Sequence, residues 1–483
     1  MAELARHWID GEWAASARGT VAESVDPANG EVLGRFAAGD AADAESAIAA
    51  ARRAFETTHW SRQPRLRATV LLEWAERLER ARPEIVKLLT AENGKLLQNS
   101  EHELAASVSE LRYYAGLARN IFGRVTELEP GLMAMLAREP MGVAGIIVPW
   151  NAPVTLLIRS LAPAIAAGCT AVIKAAPQTA LVNERVFRTL AEITSIPKGA
   201  INMLAETGNE VAKMLVESRD VDIVSYTGST EVGKLIMAAA APTLKRLNLE
   251  LGGSAPCVLF QDADLDQAVP ALVRAGVVMA GQQCVAASRL LVHRSRLDEA
   301  QARFASALES VVVGPGDEPA SEMGPMIDVS SRDRVCKLVQ AARESDEVVL
   351  AGRVPAGRLA KGAFVTPSLV HLKDSGSPLL AREIFGPVLT LDTFESEEEA
   401  VRKANTTRFG LAAGVWTRDL QRAQRVASCI KSGTVWINGH ARLHAEVETG
   451  GYKESGLGRL HGVEGLEAFL QTKHVSWELG SAS

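Results

Sequence analysis

The stretch VAGIIVPWNAPVTLLIRS (residues 143–160) runs from a short apolar segment through a turn at Pro149–Asn151 into a helical pattern. A short apolar run bounded by turn residues is typical of a buried strand. Three further apolar runs, at 171–174, 200–204 and 222–226, each lead into a helical pattern. Strands that alternate with helices predict a doubly wound parallel sheet, which binds its ligands at the carboxyl ends of the strands.

The flanking sequence extends this pattern. Residues 1–40 contain short strand-like runs and turn signals, and residues 41–118 have helical spacing. A second series of strands and helices follows between about Ala255 and Ile437, and it predicts a second α/β domain. The strand-like runs of this series lie at 255–260, 288–292, 364–369 and 388–394. The tail from Glu464 predicts one short helix and a final strand at 473–477.

Composition limits the function classes. A chain of 483 residues is too long for one core, so two or three domains are expected. The 52 Lys and Arg against 58 Asp and Glu include no basic block that would bind nucleic acid. Five scattered cysteines without a CxxC pair disfavour disulfides and structural zinc, and no window reaches the roughly 20 apolar residues of a membrane span. We expect a reduced, soluble, cytoplasmic protein with no metal, nucleic acid or membrane as partner.

Three residues could supply the chemistry of an attack on a carbonyl. Cys284 follows a glycine and two glutamines, a polar approach that favours a reactive thiol over the buried, inert thiol of most isolated cysteines. Glu250 closes an apolar strand before two glycines, so it is either a solvated strand end or a base beside a cleft. Asn151 is either a helix cap or an amide donor to an oxyanion.

The segment TGSTEVG (residues 227–233) follows a strand and opens a helix. Small residues and free N–H groups at a helix N-terminus suit a pyrophosphate. The segment does not match GxGxxG, and the chain contains no GxxxxGK[ST] motif. On its own, this pattern is weak support for a dinucleotide.

Taken together, seven segments resemble the motifs of the aldehyde dehydrogenase superfamily over essentially the whole chain. They are PWN at 149–151, Lys174, YTGST at 226–230, ELGG at 250–253, GQQC at 281–284, EIFGPV at 383–388 and GGYKESGLGR at 450–459. Any one of them could arise by chance, but seven in the family's order could not. The resemblance implies an α/β fold with a doubly wound, Rossmann-like cofactor domain, a second α/β catalytic domain and a small β oligomerisation arm.

The resemblance also implies domain limits and an assembly. The NAD(P)-binding domain would comprise residues 1–121 and 141–252, and the catalytic domain residues 253–452. Segments 122–140 and 453–483 would build a homodimer or a homotetramer.

The implied reaction is oxidation of an aldehyde to a carboxylic acid with NAD(P)+. Cys284 would carry first a thiohemiacetal and then a thioester. The side chain of Asn151 and the N–H of Cys284 would hold the oxyanion, and Glu250 would activate the hydrolytic water. A CoA-acylating semialdehyde dehydrogenase, a thiol hydrolase and a non-catalytic homologue are the alternatives.

The resemblance places Lys174 at the adenosine ribose, Ser229 at the pyrophosphate, and Glu383 with Phe385 at the nicotinamide ribose and ring. The residues expected at the cofactor site are Val148, Pro149, Trp150, Lys174, Pro177, Gly208, Tyr226, Thr227, Gly228, Ser229, Val232, Leu251, Glu383 and Phe385. In NAD-preferring relatives an acid lies three residues beyond the lysine, where this chain has Pro177. Without that carboxylate, we expect NADP to be accepted as well as NAD.

Many relatives have a bulky apolar residue at the position of Arg159, whereas succinate-semialdehyde dehydrogenases resemble this chain in having an arginine that holds the substrate carboxylate. Arginine suits a bidentate carboxylate clamp, so we expect a semialdehyde or another polar or anionic aldehyde. The alternative is that Arg159 pairs with a nearby acid, such as Glu446 or Glu448, and never meets the substrate. The other residues expected to line the substrate tunnel are Leu156, Val278, Leu443 and Thr449.

Two further departures concern proton exit. Many relatives carry a lysine after the tunnel position and an acid after the GxGR arginine, a pair implicated in relaying the proton of the general base. Here those positions are Ser160 and Leu460, so water or another route would carry the proton.

Overall fold

The structure, a computed structural model, describes residues 4–374, 377, 379–380 and 382–479. The predicted segments also include residues 1–3, 375–376, 378, 381 and 480–483, which lie outside the described residues.

The strands are β1 (His7–Ile9), β2 (Glu12–Ala14), β3 (Val21–Val25), β4 (Val32–Ala37), β5 (Arg124–Glu129), β6 (Leu132–Pro140), β7 (Val143–Ile147), β8 (Thr170–Ala175), β9 (Ile201–Ala205), β10 (Ile223–Thr227), β11 (Arg246–Glu250), β12 (Ala255–Leu259), β13 (Ala287–His293), β14 (Glu347–Leu350), β15 (Ser368–His371), β16 (Val388–Phe394), β17 (Ala412–Trp416), β18 (Thr434–Ile437), β19 (Gly456–Leu457) and β20 (Leu470–Glu478). The helices are α1 (Ala41–Thr57), α2 (Pro64–Asn93), α3 (Leu97–Ala118), α4 (Pro153–Ala167), α5 (Ala180–Ala191), α6 (Glu210–Glu217), α7 (Thr230–Ala240), α8 (Leu265–Val277), α9 (Leu297–Glu309), α10 (Val329–Ala342), α11 (Glu397–Asn405), α12 (Leu420–Cys429) and α13 (Gly462–Glu467).

The first sheet confirms the predicted doubly wound fold. Its strand order is β19-β11-β10-β7-β8-β9-β1-β2, and the strands from β11 to β9 are parallel. One face packs beneath α2, α3, α4 and α5, and the other beneath α1, α6 and α7. Because both faces are covered, the central strands are continuous apolar runs rather than alternating ones.

Helix α4 directly follows the turn at Pro149–Asn151 of the opening stretch. It begins at Pro153, where the missing N–H of proline costs no hydrogen bond, and ends before Gly168, whose φ of 102° lies in the left-handed region. All but one of its residues are buried, so packing against the sheet and α3 fixes its position.

The second sheet confirms the second α/β unit. Its order is β14-β15-β16-β13-β12-β17-β18, and only the edge strand β14 runs antiparallel to its neighbour. The strand predicted at 364–369 is wrong at its start, because β15 begins at Ser368. Pro367 has no N–H to donate to a ladder, so the buried Phe364 and Val365 precede the strand.

A third, antiparallel sheet consists of β5, β6 and β20, and most of its side chains are exposed. Part of the predicted C-terminal oligomerisation segment lies elsewhere: β19 pairs with β11 of the first sheet, and α13 packs against α4. The predicted domain limits and the role of this arm in assembly stay predictions. Within the described residues, no helix has the length and apolarity needed to cross a membrane.

Candidate active site

The turn after β7 brings Asn151 to the nucleophile loop. Asn151 is buried, and its Nδ2 donates a hydrogen bond to the carbonyl oxygen of Gln282 at 3.0 Å. The residue that caps α4 is Ala152, which makes no side-chain cap, so the helix-cap alternative for Asn151 is wrong. The amide thus lies between the first sheet and the segment that carries Cys284.

Cys284 lies in the loop before β13, half-buried beside Leu411 and Ala441. A side chain at Gly253 would place its Cβ 2.2 Å from the Cys284 carbonyl oxygen, so only glycine permits this approach. Burial raises the pKa of the Cys284 thiol to about 11, and the nearby Arg159 guanidinium opposes that rise. The sulfur is therefore a thiol at neutral pH, held beside a cation that favours its ionisation.

Glu250 is the last residue of β11, where it pairs with Thr227 on one side and Gly456 on the other. Only 4% of it is exposed, so the alternative of a solvated strand end is wrong. Its Oε1 has no hydrogen-bond partner among the described residues. Burial raises the pKa of the carboxyl to about 7, although Arg159 and Arg459 act in the opposite direction. A base that titrates near neutral pH suits the activation of water.

Arg159 is 5% exposed and extends from α4 toward the same region. Its Nη2 donates to Oγ1 of Thr227 at 3.3 Å, and its Nε has no partner among the described residues. The alternative pairing with an acid is not formed: Glu448 instead accepts hydrogen bonds from the N–H groups of Val463 and Glu464, and no ion pair joins Arg159 to Glu446 in the described part of the chain. A buried cation therefore lies near Glu250 and Cys284, and none of the described residues forms an ion pair with it.

The residues predicted to bind the cofactor gather at the carboxyl ends of the parallel strands. Val148, Pro149 and Trp150 follow β7, Lys174 lies in β8, and Tyr226 and Thr227 end β10. Gly228 and Ser229 join β10 to α7, and Val232 lies in the first turn of α7. Ser229 caps α7 by accepting a hydrogen bond from Val232 N–H at 3.3 Å. Leu251 packs against Gly233 of the same helix, where a Cβ would meet its side chain at 2.6 Å.

Glu383 and Phe385 lie in the loop before β16 of the second sheet, and they contact the same region. Oε1 of Glu383 accepts a hydrogen bond from Gly253 N–H at 3.0 Å, and burial raises the pKa of its carboxyl to about 7. The ring of Phe385 lies edge-to-face with that of Trp150 at 5.6 Å between centroids. Both predicted nicotinamide-site residues thus meet the turn after β7 and the glycines after β11.

At the predicted adenosine end, the structure adds a carboxylate that the sequence did not reveal. Lys174 is opposite Leu204 in the β8–β9 ladder, and Glu206 projects two residues further on the same face. Oxygens of Glu206 accept hydrogen bonds from Val211 N–H at 2.9 Å and Ala212 N–H at 3.1 Å, which caps α6. Burial lowers the pKa of Lys174, and the Glu206 charge opposes this.

Two other predicted cofactor residues lie at this end. Pro177 opens a short 3₁₀ turn after β8. Gly208 lies in the loop before α6, where a Cβ would meet no atom of the described residues within 4 Å.

The predicted substrate residues are only partly brought together. Leu156 lies three residues before Arg159 on α4, and Thr449 is buried with its Oγ1 unpartnered among the described residues. Val278 is half-buried at the start of a 3₁₀ turn, and Leu443 is exposed. Neither belongs to the apolar cluster around Cys284, although Ala441 of the same loop as Leu443 does.

Comparison with known proteins decides the family. The model of the aldehyde dehydrogenase family matches residues 13–475. The chain is 38% identical over 472 residues to a betaine aldehyde dehydrogenase of Bacillus subtilis, covering 97% of this chain and 96% of that one. The chain belongs to the aldehyde dehydrogenase family. This aldehyde dehydrogenase is therefore an oxidoreductase that oxidises aldehydes, and the predicted family and enzyme class are confirmed.

Solved structures agree with the assignment. A point mutant of betaine aldehyde dehydrogenase from Staphylococcus aureus, solved in complex with NAD+, superposes on this aldehyde dehydrogenase with a TM-score of 0.97 at 36% identity, covering 99% of this chain and 98% of the other. PnpE from Pseudomonas sp. WBC-3 gives 0.95 at 34% identity, with 100% and 99% covered. Within the described ranges, no three His, Cys, Asp or Glu side chains of the dehydrogenase form a group that could hold a metal ion.

Proposed function

We propose that this aldehyde dehydrogenase converts a semialdehyde, or another aldehyde bearing an anionic or strongly polar group, to the carboxylic acid. The observation that carries this proposal is the buried guanidinium of Arg159, which lies near Cys284 and Glu250 and forms no ion pair with any residue that the structure describes. A buried charge without a partner is costly, and a substrate carboxylate would supply the missing partner.

The geometry supports a covalent mechanism on Cys284. The thiol loses its proton to water, and the sulfur adds to the aldehyde carbon to give a thiohemiacetal. Its oxygen is held by the Asn151 amide and the Cys284 N–H. A bound nicotinamide would supply the hydride acceptor, and loss of the hydride from this carbon would leave a thioester on Cys284. Glu250 takes a proton from water as that water attacks, the carbon–sulfur bond breaks, and the acid leaves.

The chain's own residues fit a dinucleotide. Lys174 supplies a cation at one end of the carboxyl edge, and the first turn of α7 offers N–H groups beside Ser229 to a pyrophosphate. Glu383 and Phe385 close the other end against Gly253 and Trp150. We propose that these residues, with Val148, Pro149, Pro177, Gly208, Tyr226, Thr227, Gly228, Val232 and Leu251, form the cofactor site.

The same charge argues against betaine aldehyde, the substrate in the names of several relatives. Betaine aldehyde carries a quaternary ammonium group, which proteins recognise with aromatic rings. Arg159 would repel such a cation, whereas it can bind a carboxylate in a bidentate manner. The substrate of this chain is therefore proposed to differ from that of these relatives.

A panel of aldehydes tests the substrate proposal. We expect Arg159→Leu to raise KM for a short semialdehyde bearing a carboxylate by about 30- to 100-fold, because a charge-assisted pair is lost. KM for the alkyl aldehyde of equal length should stay within about threefold. Initial rates of cofactor reduction measure both values, and Arg159→Lys, which keeps the charge, should retain part of the discrimination. Equal changes for both aldehydes would show that Arg159 acts on Glu250 and not on the substrate.

Two features at the adenosine end act in opposite directions on cofactor choice. Pro177 removes a carboxylate that would repel a 2′-phosphate, whereas Glu206 places a negative charge beside Lys174. We propose that the enzyme prefers NAD and accepts NADP less well.

Glu206→Gln should therefore raise kcat/KM for NADP by about tenfold, because repulsion of the 2′-phosphate is removed, and change that for NAD by less than about threefold. Glu210→Gln is the matched control, since Glu210 is exposed at the start of the same helix. Steady-state kinetics with both cofactors measure the ratio. An unchanged ratio in Glu206→Gln would contradict a role of this carboxylate in cofactor choice.

We also propose a homodimer or homotetramer in the cytoplasm, with the β5–β6–β20 sheet as the contact. Val475 and Trp477 of β20 are exposed apolar residues on an open edge strand, and such edges seek a partner. Domains 1–121 with 141–252, and 253–452, are proposed as the two folding units. Sedimentation of the full chain would determine the oligomeric state.

A further inference from the structure

Three side chains outside the catalytic set fix the turn that carries Asn151. At the end of α2, Asn93 donates from Nδ2 to the carbonyl oxygen of Trp150 at 2.8 Å. Two residues later, Lys95 donates from Nζ to the carbonyl oxygen of Asn151, also at 2.8 Å. These hydrogen bonds fix the peptide groups on both sides of Asn151. Its φ and ψ are thereby fixed, and they determine the direction in which its side chain leaves the backbone.

Glu103 of α3 completes the arrangement. Its Oε1 accepts hydrogen bonds from Val154 N–H at 2.8 Å and Thr155 N–H at 3.2 Å, which fixes the first turn of α4. Its Oε2 accepts a hydrogen bond from the ammonium group of Lys95. The two side chains are only 1% and 6% exposed, so this is a buried ion pair.

A buried ion pair gives little net stability compared with apolar side chains of the same volume, but it specifies one geometry because breaking it strands a charge. Here the specified geometry is that of the turn between β7 and α4. The side-chain amide of Asn151, oriented by this turn, donates a hydrogen bond to the carbonyl oxygen of Gln282, two residues before Cys284. Oε1 of Gln282 accepts a hydrogen bond from Ile327 N–H at 3.1 Å, so the partner of the amide is fixed as well.

We propose that Asn93, Lys95 and Glu103 are positioning residues that hold the Asn151 amide where it binds the oxyanion of the thiohemiacetal. This inference rests on the proposed function of Asn151. The three residues reach the reacting atoms only through the backbone of the turn. Their loss should therefore lower kcat and leave the binding of aldehyde and cofactor nearly unchanged.

A double-mutant cycle tests the proposal. Lys95→Met should lower kcat by about 10- to 100-fold, as expected when a catalytic group is misplaced by about 1 Å, with KM for aldehyde and cofactor within about threefold. Asn151→Ala should lower kcat by about 100- to 1,000-fold through loss of an oxyanion donor. In the Asn151→Ala background, Lys95→Met should cost less than about threefold, because the group it positions is gone.

A matched control separates positioning from folding. Glu92 of α2 is also a fully buried carboxylate that caps a helix, since it accepts hydrogen bonds from Leu181 N–H and Val182 N–H of α5. Glu92→Gln should lower the thermal midpoint as Glu103→Gln does, but it should leave kcat unchanged. If Lys95→Met does not fold, Asn93→Ala, which removes one uncharged contact, takes its place in the cycle.

The outcomes are distinct. If Asn151→Ala keeps its kcat, the proposed role of Asn151 fails. If Asn151→Ala is impaired but Lys95→Met, or Asn93→Ala in its place, lowers kcat equally in both backgrounds or not at all, the positioning role is overturned. A fall in kcat of Glu92→Gln as large as that of Glu103→Gln would also overturn it.

Discussion

Replacement of Cys284 by serine should lower kcat for aldehyde oxidation by about 10,000-fold or more. The hydroxyl is close in size to the thiol, but it is a far weaker nucleophile, and the apolar side chains that pack against it supply no base to activate it. No thiohemiacetal forms, so the hydride has no donor carbon in the site. Stopped-flow absorbance of the reduced cofactor measures the loss.

Two other cysteines supply matched controls. Cys336 is half-buried in α10 and Cys429 is exposed at the end of α12, and neither lies in the cluster around Cys284. Serine at either position should leave kcat within about twofold, and cofactor binding to Cys284→Ser, followed by protein fluorescence, should stay normal. If Cys284→Ser kept more than a few per cent of the rate, or Cys336→Ser lost as much, the assignment of the nucleophile would be wrong.

The sequence predicted the catalytic set because each member ends a recognisable local pattern. Asn151 and Glu250 follow buried strands, whose carboxyl ends meet at one edge of a parallel sheet, and Cys284 is marked by its polar approach. The polar approach to Cys284 was informative, but not because it is exposed. Gln282 is buried, and its side-chain amide is hydrogen-bonded to Met279 of the same loop and to Ile327 just before α10.

No local sequence pattern predicts the residues that hold the catalytic residues in place. Lys95 and Glu103 are charged residues in a helical region, where charges usually mark a solvated face. Only the packing of α3 on α4 shows that they are buried against a turn more than 45 residues away in sequence. Glu206 was missed for a similar reason, because its relation to Lys174 depends on the register of β8 with β9.

The errors of the sequence-based fold have equally local causes. Residues 364–369 contain enough apolar side chains for a strand, but Pro367 delays the ladder to Ser368. The two-residue β19 was not predicted, because it is too short to give a periodic signal, and it pairs with β11 of the first sheet before α13 and β20 begin.

Glu250→Gln should separate hydride transfer from hydrolysis. The glutamine amide cannot accept a proton from water, so steady-state kcat should fall by about 1,000-fold, while the first turnover still reduces one cofactor per active site. Rapid mixing should show this burst, and mass spectrometry should find an acyl group on Cys284. Hydroxylamine, which attacks a thioester without a general base, should restore part of the turnover.

The pH dependence provides an independent test. The pKa of Glu250 is raised to about 7 by burial, and the base acts as the carboxylate. Where hydrolysis limits the rate, kcat of the native enzyme should therefore fall about tenfold per pH unit below about pH 7 and level off above it. This fall in kcat at low pH should be absent in Glu250→Gln.

Glu92→Gln is the control for both measurements. Burial also raises the pKa of the Glu92 carboxyl to about 7, and its oxygens accept hydrogen bonds from Ser24, Leu181 and Val182, away from Cys284. This variant should still show the fall in kcat at low pH, and it should accumulate no thioester. A Glu250→Gln enzyme without a burst would show that the carboxylate acts before hydride transfer. A variant with full turnover would show that the carboxylate has no part in the mechanism.

Added CoA tests the CoA-acylating alternative. If the native enzyme released the acyl group to CoA faster than to water, that alternative would be favoured.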